Sequence, residues 1–160
     1  MSTEADALAA IAALVTGIRT GNGNDTDCGE YVRVSPLFAE MADDDDWQTL
    51  VYTASETYGN KPEDDTGIAG NQRIYQLTLN INIDAHRRLD GELAAHHAAQ
   101  IKADIRTAML PRSGRLLLDG VEVGAIRYLG NELIPELLPS GVLGIRTRVR
   151  VIAQQQVTHN

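Results

Sequence analysis

The chain has 160 residues, 22 acidic against 14 basic side chains, a formal charge of −8 and one cysteine. Its length suits one domain with one core. The 43% apolar content with only 4% aromatics means that this core is built from Leu, Ile, Val and Ala. The acidic balance argues against a generally basic surface for nucleic acid, while leaving room for a local basic strip. Cys28 alone allows neither an intrachain disulfide nor a cysteine zinc cluster.

The first residues, Ser2 to Asp6, lack the basic start and apolar stretch of a secretory signal, and no apolar run approaches the roughly 18 residues of a membrane span. A soluble, unexported protein is expected. Leu8, Ile11, Val15 and Ile18 step by three and four, predicting a helix over 3–20 with Ser2 or Thr3 as its cap and Gly21 as its stop. A polar loop follows, then a short strand at Glu30 to Ser35 ended by Pro36. Asp43 to Asp46 read as a solvated loop, because four adjacent acids lack the interleaved spacing of a calcium loop.

Trp47 to Ser55 predicts a second strand, and residues 56–70 a long polar loop that contains Asp64 and Asp65. So long a segment without periodicity is expected to be either mobile or ordered by a partner. Tyr75, Leu77, Leu79, Ile81 and Ile83 alternate with Gln76, Thr78, Asn80, Asn82 and Asp84, giving a strand with one apolar and one polar face. From Gln72 to Asp84 it would extend roughly 40 Å and is expected to outrun its own sheet.

Asp90 is placed to cap a second helix running to Met109, with Ala94, Ala98, Ile101 and Ile105 on one side. His96 and His97 are adjacent, hence about 100° apart on that helix, which is wrong for a shared metal. Asp119-Gly120 between Leu116–Leu118 and Val121–Val123 predicts a tight hairpin. The returning strand is expected to run to about Leu129, and a last strand from Val142 to Ala153, with 154–160 as a tail. On that last strand Arg146, Arg148 and Arg150 share the face opposite Ile145, Val149 and Val151.

Together these elements predict an α+β fold: a two-layer sandwich with two helices on one face of a mixed, mostly antiparallel sheet of five or six strands. The glycines of 21–29 lack the strand and spacing of a nucleotide loop, and no serine sits in a Gly-x-Ser-x-Gly setting. Cys28 stands between Asp27 and Glu30, which disfavours a thiolate. No catalytic residue, cofactor or metal site is assigned, and a non-enzymatic protein is expected.

The order of segments resembles the tail terminator family of siphovirus-type phages, the minor tail protein U-like group. The resemblance covers the chain from the first helix to Ala153. It rests on the alternating strand Tyr75 to Ile83, the helix with Ile101 and Ile105, the Leu118-Asp119-Gly120-Val121 turn, Gly130, Pro135-Glu136 and the strand after Gly141. It implies a hexameric ring on the end of the tail tube protein. Such a ring stops tube growth, offers a surface to the head and neck connector, and lets DNA pass through its lumen. The implied place is the virion tail or neck, after assembly in the host cytoplasm, with no membrane. Another neck or tail component, such as a head completion protein or a tube subunit, is the alternative, and a small cytoplasmic enzyme a more distant one. The arginine row, Arg146, Arg148 and Arg150, is either a solvated outer face or the candidate subunit-interface or lumen site, with Asp64 and Asp65 of a neighbouring copy as the partners expected in the interface reading.

Overall fold

A computed structural model describes residues 3–37, 46–60, 72–89, 94–110 and 113–158. The first helix, α1, spans Thr3–Thr16 and buries Ala7, Ala10, Ile11 and Val15. It stops short of the expected end near residue 20. Thr16 turns its hydroxyl back to the Ala12 carbonyl at 2.7 Å, and Gly17 follows, two weak helix formers in succession. Ile18 is nonetheless buried, and its carbonyl accepts the Gly29 N–H at 3.0 Å. The returning chain passes so close that a Cβ on Gly29 would lie 2.3 Å from the Val15 carbonyl oxygen, so only glycine fits.

Six strands form one sheet: β1 (Val32–Val34), β2 (Trp47–Asn60), β3 (Gln72–Arg88), β4 (Arg115–Leu118), β5 (Val121–Ile134) and β6 (Val142–Thr158), in the order β1-β2-β3-β6-β5-β4. Only β1 and β2 run parallel; the other pairs are antiparallel. The mixed α+β sheet expected from the alternation is therefore present. Asp119, at φ 51, and Gly120, at φ 80, make the hairpin turn between β4 and β5.

Several strand boundaries differ from expectation: β5 runs on to Ile134, past the expected end near Leu129, and β3 to Arg88, past Asp84, each held in strand by its pairing with β6. Residues 56–60, read as loop, are the far end of β2; they carry no apolar alternation yet pair with Tyr75–Leu79. The rest of that segment, 61–70, lies outside the described residues. The C-terminal tail is strand as far as Thr158. Strand β3 does not outrun the sheet: it pairs with β6 along its whole length and with β2 from Tyr75 to Arg87. Its partners are simply as long as it is.

The register sorts side chains into two faces. On one, Leu77 stands opposite Ala153, Leu79 opposite Val151, Ile81 opposite Val149 and Ala85 opposite Ile145. These residues join Ile11 and Val15 of α1, and Ile101 and Ile105 of the second helix, α2 (Ala94–Ala108), in one core. Each fully buried Leu or Ile there contributes about 1.5–3 kcal/mol. Helix α1 touches both outer strands, β1 and β4, as well as β2 and β5 between them. A flat sheet could not bring both edges to one helix, so this sheet curls around it. Residues 90–93, including the expected cap Asp90, lie outside the described residues.

One polar device fastens α2 to the loop after α1. Asp104 is buried on the core side of α2 and accepts hydrogen bonds from the Thr26 N–H (2.7 Å), the Thr26 hydroxyl (2.7 Å) and the Asp25 N–H (3.2 Å). Sequence reading gave Asp104 no role, because one acid on a helix face is ordinarily solvated.

Candidate interaction face

The second face of the sheet is polar, and the same register that builds the core aligns it in rows. Asp84 stands opposite Arg146, Asn82 opposite Arg148 and Asn80 opposite Arg150, with Leu50, Tyr52 and Ser55 of β2 completing the rows on one side. On the other side lie Glu132 beside Arg146, Gly130 beside Arg148 and Arg127 beside Arg150. The three arginines thus share a face, as alternation requires. Their surroundings differ sharply.

Arg146 is committed within its own chain. Its Nε donates to Asp84 Oδ1 at 2.9 Å, and its Nη2 to Asp84 Oδ2 at 3.0 Å and to the Tyr52 hydroxyl oxygen at 3.2 Å. The Tyr52 hydroxyl donates to Asp84 Oδ2 at 2.8 Å and accepts from Asn82 at 3.2 Å. The Asp84 side chain is 7% exposed, that of Arg146 32%. The hydrogen bonds to Asp84 hold the guanidinium yet more firmly protonated, and burial pushes the Tyr52 phenol up. In the next row His86 is buried, its Nδ1 3.0 Å from the Gln48 carbonyl, an arrangement in which Nδ1–H donates. Burial holds its imidazole below the usual histidine value.

Arg148 meets Glu132 at 2.5 Å, both half-exposed. Arg150 has no carboxylate partner among the described residues. Its Nε donates to Asn80 at 3.2 Å, and Asn80 in turn donates to the Ser55 hydroxyl at 2.9 Å, which fixes the guanidinium through one nitrogen. The expected partners Asp64 and Asp65 lie outside the described residues, so the expected pairing across subunits is neither met nor opposed. The register also settles the facing of three further arginines: Arg33 is in the row of Leu50, Arg115 in the row of Ala125 and Ile152, and Arg127 beside Arg150, all on this polar face. Alternation alone could group Arg146 with Arg150; pairing was needed to add Arg127 and Arg115, and to reveal Asp84 and Glu132.

The remaining residues singled out in the sequence are dispersed. Cys28 is fully buried, and burial pushes its thiol up to about 12, far from a thiolate at neutral pH. His96 and His97 meet edge to face at 5.8 Å, and His97 contacts the Arg87 guanidinium, which also lies over Trp47 at 5.3 Å. Asp46 borders a cleft with Trp47 and Arg87, while Asp43 to Asp45 lie outside the described residues. Among the described residues no three His, Cys, Asp or Glu side chains are grouped to hold a metal, and no helix is long and apolar enough to cross a membrane.

No protein-family model matches the chain, and no curated protein matches it. Among solved structures, the sheath/tube terminator of an extracellular contractile injection system, called PVC and seen in its extended state, is similar over the whole of this chain at a TM-score of 0.48 and 12% identity. This chain spans 62% of the length of that one. A likeness at that level does not bear on function.

Proposed function

We propose that the protein is a structural component of a long-tailed phage of the siphovirus type: a tail terminator of the minor tail protein U-like kind. In this reading it forms a hexameric ring on the last ring of tail tube protein, halts polymerisation, and presents its other side to the head and neck connector while DNA passes through the lumen. It works by shape and performs no chemistry. One ring face matches the growing tube and the other does not.

The observation that carries the reading is the sheet itself. Its element order, from α1 through the β4–β5 hairpin to β6, is the order on which the family resemblance rests. Its helices cover one face, and the other is a polar face built on four strands of 14 to 17 residues, with the arginine row on the last of them, β6. A face of this size and charge suits contacts among copies of the chain. The length of β3 no longer argues for oligomers, since β2 and β6 match it; the open face takes its place. Deleting the gene and measuring tails by negative stain tests the role. Intact heads with unjoined, overlong or variable tails are expected. Tails of normal length joined to heads would overturn it.

A further inference from the structure

Resting on that reading, we infer that subunit contact is made at one end of the polar face, where Arg115, Arg127 and Arg150 surround the exposed Ile152, and that its occupant is a carboxylate-bearing surface of a second copy of this chain.

Four observations meet there. Arg127 and Arg150 are direct cross-strand neighbours, and Arg115 lies one row on, opposite Ala125. Like charges placed directly opposite on a sheet are destabilising, and none of the three has a carboxylate within ion-pair distance among the described residues. Arg146 and Arg148 on the same strand each have one, so the clustering is not a general consequence of a basic strand. A protein keeps such a local conflict where something outside the folded chain resolves it.

Secondly, the site is apolar at its centre. Ile152 is 37% and Leu117 49% exposed, and both face outward with the arginines, as their neighbours Val151, Ala153 and Leu116 face the core. Thirdly, a hollow of about 460 Å³ opens beside Ile152, lined by Gln76, Ala125, Glu122 and Gln154. Arginine around an exposed aliphatic centre with a neighbouring hollow is the composition of an energetic centre in a protein interface. A duplex would use the guanidiniums and leave Ile152 and Leu117 without apolar partners. Fourthly, the chain carries 22 acidic side chains against 14 basic ones, so a second copy offers carboxylates in excess of Glu122, which lines the hollow and is no ion-pair partner of the three arginines.

The test uses the full chain with Arg115→Gln and Arg127→Gln together. Both side chains are exposed and hold no ion pair among the described residues, so the monomer is expected to melt at an unchanged or slightly higher temperature. Sedimentation across a concentration series is expected to show self-association weakened about 5- to 30-fold, with the residual less sensitive to salt. Ile152→Ser is expected to weaken association without changing its salt dependence. Wild-type association in both variants would overturn the inference and leave the ring reading standing. A double variant that assembles normally but loses binding to a short DNA duplex would assign the cluster to DNA and overturn it as well. Wild-type protein that stays monomeric at every concentration, with no ring in assembled particles, would remove the inference and the ring reading together.

Discussion

The two ends of the polar face hold the same residue type at the same spacing under opposite conditions. At the Asp84 end, Arg146 is part of a closed network in which both carboxylate oxygens, a phenol and an amide are satisfied. At the Ile152 end, Arg150 is anchored through one nitrogen, with a second arginine as its cross-strand neighbour. The difference comes from what the adjoining strands place in each row. A stripe of arginines is therefore not one feature. Half of it belongs to the fold and half to whatever the fold meets.

The sharpest way to break this contrast is Asp84→Ala. It leaves the partly buried Arg146 without its carboxylate and is expected to cost about 2–4 kcal/mol, lowering the melting temperature by roughly 5–15 °C. Replacing both partners, Asp84→Leu with Arg146→Met, is expected to recover most of that loss, since an apolar pair removes the stranded charge. If the single change alters melting by less than about 2 °C, the network is not part of what stabilises the fold.

His86 extends the comparison to pH. Burial depresses its folded value below the ordinary 6.5, so the unfolded chain takes up a proton that the folded chain resists. The associated stability is fully present above pH 6.5 and is lost as pH falls below it toward the folded value. Melting curves at pH 7.5 and 5.5 should therefore diverge in the wild type, and His86→Gln should narrow the gap. A gap of unchanged size would place the pH dependence elsewhere.

A smaller effect lies behind the arginines, on the core side of the same strand. Thr147 is fully buried, and its hydroxyl has no hydrogen-bond partner among the described residues. Thr147→Val should stabilise by about 1 kcal/mol, raising the melting temperature by roughly 2–4 °C. A fall instead would mean the hydroxyl is satisfied in solution. Smallest of all, Arg148→Gln removes an exposed pair and should shift stability by no more than about 0.5 kcal/mol, read by denaturant titration.

What could be read in advance follows the physics of each element. Alternation in β3 and β6 is a local signal, so their faces and the common side of Arg146, Arg148 and Arg150 were legible. So were the helical steps of α1 and the Asp-Gly turn. The far end of β2 was hidden because its residues are polar on both sides and are strand only through their partner. The commitments of Arg146 to Asp84 and of Asp104 to Thr26 were hidden for the same reason. Each joins residues far apart in sequence, and register is a property of the pair.

The sheet order also governs how the chain must fold. Strand β6, the last of the six, is inserted between β3 and β5, with partners running from Arg88 with Val142 to Gln72 with Thr158. Until it arrives, the β2–β3 pair and the β4–β5 hairpin are separate pieces, each with a long bare edge and half a core. Closure waits on contacts spanning α2 and the whole hairpin, which places refolding in the slow, millisecond-to-second regime of non-local sheets. During synthesis the β3 edge therefore stays open to other copies until β6 has been made.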